Sequence, residues 1–299
     1  MTLAMTVLAY EGVQSRVYLE ALRRAGQTPR RVILMLNTDH PETGEPVLPW
    51  LPGGLRGIWI KLLQEAAQLY WPRTLARTRP GLVEAVLEGA SAIEPAAREV
   101  FRKVTAPAFP WASYGASFET VLCKNYKDAA LRERLEALGR SEPGAVLFTG
   151  GGLLPRSLLA LEGLRFLHVH PGALPDVRGA DGLLWSLLLR GRPGASAFYM
   201  APGIDEGDLI AVREFDPPRL SSAGWSGGST QDVYRALFSC YDPLMRARVL
   251  VDGVLSAGED PAALPATPQD PKAGRTFHFM EEGLRGVVFE RLFSAPVRR

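Results

Sequence analysis

Apolar and polar positions along the chain alternate between two rhythms. Met5 to Ala9 is a strand-length apolar run closed by Glu11 and Gly12. From Val13 to Arg24, the residues Val13, Val17, Leu19, Ala21 and Leu22 form an apolar stripe with the arginines off it, as a helix requires. Gly26 and Pro29 mark its end. Val32 to Leu36 is apolar without a break, the pattern of a strand covered on both faces. Strand, helix and strand in close succession predict a βαβ opening. The turn at Gly12 lacks the GxGxxG spacing, so no dinucleotide site is inferred there.

Between Pro41 and Pro110 the rhythm changes. A Pro/Gly-rich connector precedes helical periodicity over Ile58–Tyr70, Gly81–Glu88 and Pro95–Lys103, with Trp50, Trp59, Trp71 and Trp111 in or beside it. This reads as a helical insertion, about 41–110, serving as a lid or packing over a sheet edge. His40, just before it, reads as structural or solvated.

The alternation then resumes with a strand at Thr120–Asn125 and a helix at Ala129–Leu138 capped by Asp128. The strand Gly144–Thr149 runs into Gly150-Gly151-Gly152, and a helix is expected over Leu153–Leu161. An apolar run from Phe166 ends at His168 and His170, and Asp181 is expected to cap a helix Gly182–Arg190 that Gly191 stops. Strands follow at Ser196–Met200 and Leu209–Phe215, then a linker, Asp216–Thr230. A helix Gln231–Leu255 should be kinked or split by Pro243, and Glu281–Phe293 is amphipathic. The prediction is an α/β domain over 1–215 with the insertion inside it, and a C-terminal extension over 216–299.

Composition narrows the class. With 46% apolar and 22% charged residues and a net charge of +2, the chain is an ordinary globular sequence. Arg23, Arg24, Arg30, Arg31, Arg132, Arg134, Arg246 and Arg248 are scattered at helical spacings, which reads as solvated helix faces and gives no nucleic-acid footprint. Two cysteines far apart argue against a disulfide framework or a thiolate zinc site. No signal-peptide pattern opens the chain and no membrane-length apolar stretch occurs, so a soluble, cytoplasmic protein is expected.

The candidate chemistry lies between Phe166 and Ile210. Residues i and i+2 of a strand share a face, so His168 and His170 point the same way at the end of a strand that breaks into a Pro/Gly loop. Open α/β sheets place ligands at such carboxyl ends. Asp205 follows in the glycine-flanked corner Gly203-Ile204-Asp205-Glu206-Gly207-Asp208. The trio admits three readings: acid/base work by His170 with Asp205, a metal site of two imidazoles and a carboxylate, or histidines satisfied by the backbone.

The same stretch resembles the 10-formyltetrahydrofolate-dependent formyltransferases. The motifs that match are His170-Pro171-Gly172, Leu174-Pro175, Arg178-Gly179, Trp185 and the Gly203–Asp208 corner, with Leu153-Leu154-Pro155 upstream. The resemblance covers about 120–215 well and 1–37 loosely, and the insertion is foreign to it. It implies a Rossmann-like fold and transfer of a formyl group from 10-formyltetrahydrofolate to an amine of a small molecule. It further implies that Gly150, Gly151, Gly152, Leu153, Ala201, Gly203 and Ile204 line the folate pocket, with no metal. His170 would handle protons and Asp205 would hold it.

The family's oxyanion-donating asparagine is replaced by His168. An imidazole N–H can still donate to an oxyanion, and two neighbouring imidazoles should depress each other's pKa. The alternatives kept are a different acyl donor, a metal-dependent hydrolase through His168, His170 and Asp205, and a non-catalytic folate binder. A tRNA acceptor is disfavoured because no large basic barrel is evident after Phe215, and a homodimer is held open.

Overall fold

The computed structural model describes residues 2–40, 43–221, 229–255, 260–270 and 272–293. The expected linker falls partly outside these residues, at 222–228.

The opening unit is β1 (Thr2–Tyr10), α1 (Val13–Arg24) and β2 (Thr28–Asn37). Four helices follow, α2 (Gly53–Gln68), α3 (Tyr70–Thr78), α4 (Pro80–Ala90) and α5 (Ala97–Thr105). Then come β3 (Ser117–Cys123), α6 (Ala129–Ser141), β4 (Gly144–Phe148), α7 (Arg156–Leu159), β5 (Leu164–His170) and β6 (Val177–Gly179). The chain continues through α8 (Gly182–Arg190), β7 (Gly194–Tyr199), β8 (Leu209–Glu214), α9 (Thr230–Ala236), α10 (Asp242–Val249), β9 (Arg275–Phe277) and α11 (Glu282–Leu292).

Seven strands form one sheet in the order β3-β2-β1-β4-β5-β7-β8. The first five run parallel, whereas β7 and β8 are antiparallel to their neighbours. Strand alternation divides the core into two layers. Val7, Ala9, Val32, Leu34, Leu147 and Val169 face one cluster. Leu8, Ile33, Met35, Val146, Phe148 and Phe166 face the other, under α6 and α7. The unbroken apolar runs seen in the sequence therefore belong to strands buried on both sides.

Helices α4 and α5 pack into the first layer through Leu82, Val86, Val100, Phe101 and Val104, so this stretch is part of the core. By contrast, α2 presents Leu55, Ile58, Trp59, Leu62 and Leu63 outward, each about half exposed. The segment after Ser229 is one continuous helical run. π-helical turns at Leu237–Tyr241 and Leu250–Leu255 flank α10. Pro243 has no N–H to donate to the preceding turn, and the ladder widens rather than breaks.

Two local expectations are corrected. The helix expected over Leu153–Leu161 is only one turn, because Pro155 is its N-cap and the preceding glycine-rich segment stays irregular. Asp181 is the N-cap residue of α8, but its side chain makes no cap hydrogen bond. It adopts a left-handed conformation (φ 53) and directs its carboxylate to Tyr234 Oη (2.7 Å) and Met280 N–H (2.8 Å). Among the described residues, no helix is long and apolar enough to cross a membrane.

Candidate active site

The strand order reverses between β1 and β4, and a cavity of about 780 Å³ opens where the loops after these strands separate. Its walls include the loop Tyr10–Ser15, the run Thr149–Leu154, and the side chains of His168, His170 and Asp205. Gly150, Gly151, Gly152, Leu153, Ala201, Gly203 and Ile204 all line it.

His170 is 3% exposed, and both of its ring nitrogens are engaged. Nδ1 lies 3.3 Å from Asp205 Oδ2, and Nε2 lies 3.0 Å from the Val177 carbonyl. Both contacts are satisfied only when the ring carries both protons; burial disfavours that charge and lowers the pKa, while Asp205 opposes the shift. Asp205 Oδ2 also accepts the Gly179 N–H (2.8 Å). Asp205 sits at φ 54, a backbone region costly to a residue with a Cβ and frequent at functional corners. The glycines at 172 and 182 are steric requirements. A Cβ would stand 2.5 Å from His170 Nε2 at the first and 2.9 Å from it at the second.

His168, on the same strand face, is part-buried, and its Nδ1 lies 2.9 Å from the Phe148 carbonyl. Since a carbonyl only accepts, Nδ1 carries the proton. Nε2 has no partner among the described residues. Burial first, and then the Arg246 guanidinium, pull its pKa down to about 4. His170 lowers it too, as expected of a neighbouring imidazole, but by less than burial or Arg246.

The ring nitrogens of His168 and His170 bond separate carbonyls and do not converge. Among the described residues, no three His, Cys, Asp or Glu side chains form a metal-binding group.

Arg246 is a further correction. Rather than lying on a solvated helix face, it lines the cavity with its side chain 15% exposed. Its Nη2 lies 2.7 Å from Asp242 Oδ2, and Nη1 donates to the Val169 carbonyl between the two histidines (3.4 Å). Asp242 is 1% exposed, and its Oδ1 has no hydrogen-bond partner among the described residues. The i, i+4 spacing of Asp242 and Arg246 was the available signal, but it is equally common on exposed helices.

Sequence reasoning also missed Glu11 and Arg16. Arg16 is fully buried and binds Glu11 Oε1 (2.8 Å), Glu65 Oε2 (3.1 Å) and the carbonyls of Val104 (2.9 Å) and Ala106 (3.0 Å). It fastens the cavity loop after β1 to α2 and α5. Burial raises the Glu11 pKa despite this partner.

A pH effect on stability follows from His168. An imidazole whose folded pKa lies below the ordinary 6.5 contributes stability that is complete above 6.5 and is lost as pH falls toward 4, because the unfolded chain takes the proton first. The full loss is roughly 3 kcal/mol. Urea unfolding at pH 7 and pH 5 should therefore show a smaller acid loss in His168→Gln than in the parent. Equal losses would contradict the buried, neutral ring.

No family model matches the chain. Methionyl-tRNA formyltransferase of Syntrophus aciditrophicus is 34% identical over 99 residues, which is 33% of this chain and 31% of the relative. The Thermus thermophilus enzyme of the same name is 39% identical over 90 residues, 29% of this chain and 30% of the relative. Over these stretches the chain is similar to methionyl-tRNA formyltransferases.

The matched stretch spans about a third of the length of each curated relative. Among solved structures, a sugar N-formyltransferase from a Shewanella species aligns over 91% of this chain and 76% of its own, with 11% identity and a TM-score of 0.40. At that identity and score the likeness carries no argument, and the fold rests on the strand order above.

Proposed function

We propose that the chain transfers a formyl group from 10-formyltetrahydrofolate to an amine of a small-molecule acceptor. One observation carries this reading. In a chain similar over part of its length to methionyl-tRNA formyltransferases, the paired histidines and Asp205 meet at one cavity beside the switch point of the sheet. A volume of about 780 Å³ falls within the range of small-molecule sites. Gly151 and Gly152 present exposed backbone with open space where a side chain would stand, so a flat ring can approach closely.

The curated relatives are named for a tRNA acceptor, but a small acceptor is favoured here by charge. Net charge is only +2, and the cavity's two arginines are engaged, Arg246 with Asp242 and Arg235 over the Trp71 ring (3.2 Å to its centroid). Neither is poised as a phosphate-tracking surface.

Calorimetric titration with 5-formyltetrahydrofolate, a stable mimic of the donor, tests the reading. Saturable micromolar binding that weakens about tenfold in Asp205→Ala is expected, one tenfold step being 1.4 kcal/mol. No heat at high micromolar ligand would remove the folate donor from consideration.

A further inference from the structure

The geometry points to His168 Nε2 as the base that takes the proton from the attacking amine, with His170 a positioning residue. This rests on the formyl-transfer reading and redistributes the roles within it. His170 has no nitrogen to spare: Nε2 is held at 3.0 Å by the Val177 carbonyl and enclosed by the backbone of Gly172 and Gly182, and Nδ1 faces Asp205 at 3.3 Å. A substrate amine could reach either nitrogen only by displacing the Val177 carbonyl or the Asp205 carboxylate, contacts that fasten β6 to the Asp205 corner.

His168 has the opposite arrangement. The bond from Nδ1 to the Phe148 carbonyl (2.9 Å) fixes the tautomer, so the neutral ring presents a bare Nε2. That nitrogen has no protein partner among the described residues, and the residue lines the cavity. A bare nitrogen accepts a proton and cannot donate to an oxyanion, so His168 does not perform an asparagine's task by other means. The charged groups bearing on the ring are Arg246 from α10, Asp205 from the corner after β7, and His170 on its own strand. Arg246 and burial keep it neutral in the empty site, and the oxyanion that forms beside it raises its proton affinity at the moment of transfer.

The step balances as follows. The amine nitrogen bonds to the formyl carbon, and the carbonyl π electrons move to oxygen. The ammonium proton passes to His168 Nε2. The oxyanion then re-forms the carbonyl, the bond from carbon to N10 of the folate breaks, and N10 takes the proton from Nε2. The products are the formamide and tetrahydrofolate, with His168 returned to its starting state.

Two measurements on the full chain test this. Long-range ¹H–¹⁵N NMR of histidine-labelled protein, assigned with His168→Asn, should show Nδ1 protonated and Nε2 bare at pH 7, with the Nε2 signal moving when 5-formyltetrahydrofolate is added. Turnover of 10-formyltetrahydrofolate with hydroxylamine as a surrogate amine should fall at least about 100-fold in His168→Asn, within the range for losing a general base. Donor affinity should stay within about threefold, under 1 kcal/mol. A bound donor with an Nε2–H tautomer, or undiminished turnover in His168→Asn, would overturn the base role alone. Failure of the parent chain to bind the donor would overturn the formyl-transfer reading and the base role with it.

Discussion

Arg16→Met is expected to destabilise the chain by about 3–5 kcal/mol, the range for removing one partner of a buried ion pair. For a domain of this size that lowers the unfolding midpoint by roughly 10 °C. The guanidinium is fully buried against Glu11 (1% exposed) and Glu65, and it also satisfies two main-chain carbonyls. Its loss leaves the Glu11 carboxylate with the Trp111 indole N–H (3.2 Å) and the Gly12 N–H (2.9 Å) as its remaining donors. Arg16→Met with Glu11→Gln should recover part of the loss, since a neutral amide costs less to leave in place. Calorimetric unfolding of the single and double variants checks this, and a loss below 1 kcal/mol in the single variant would show that water reaches the carboxylates.

Arg246→Leu should cost about 3 kcal/mol for the same physical reason, and it should also change the site. Asp242 is buried and already has one oxygen unpartnered, so without Arg246 it can persist only by taking up a proton. Burial raises its pKa even with the arginine present. The same guanidinium depresses His168, so its removal should raise the pKa of His168 above about 4. Denaturant unfolding measures the first effect and an NMR titration of the His168 ring the second. Arg246→Leu combined with Asp242→Leu should restore much of the stability while leaving the His168 shift in place. If His168 titrates unchanged in either variant, the field at the cavity comes from elsewhere.

These two arginines mark the boundary of what the sequence made legible. The continuous runs Met5–Ala9 and Val32–Leu36 announced strands buried on both faces, and the His168, His170 and Asp205 spacing pointed to three side chains that the fold brings to one cavity. All of that information is local, because period and turn chemistry act over a few residues. Arg16 and Arg246 carry their meaning only through partners distant in the chain: Val104 and Ala106 for one, Val169 for the other. A guanidinium on a helix looks the same in sequence whether water or a carboxylate meets it. The tautomer of His168 was hidden for the same reason, since the Phe148 carbonyl that fixes it is 20 residues away on the neighbouring strand. Asp181 misled because the residue type suits a helix cap, yet tertiary partners on the α9 and α11 side claim its oxygens.

The pairing of β6 with β9 bears on how the protein is made. Arg178 donates to the Ala273 carbonyl 95 residues later, and Gln269 Nε2 holds the carbonyls of Asp205 (2.8 Å) and Gly207 (2.7 Å). On the ribosome, the sheet that carries His168 and His170 is complete well before these clasps emerge from the exit tunnel. Thr276 to Phe279, which close one side of the cavity, arrive later still. The residues of the scaffold are therefore synthesised before those that complete the pocket. A product of premature termination before Gln269 would keep both histidines and Asp205 while lacking the clasp on the Asp205 corner.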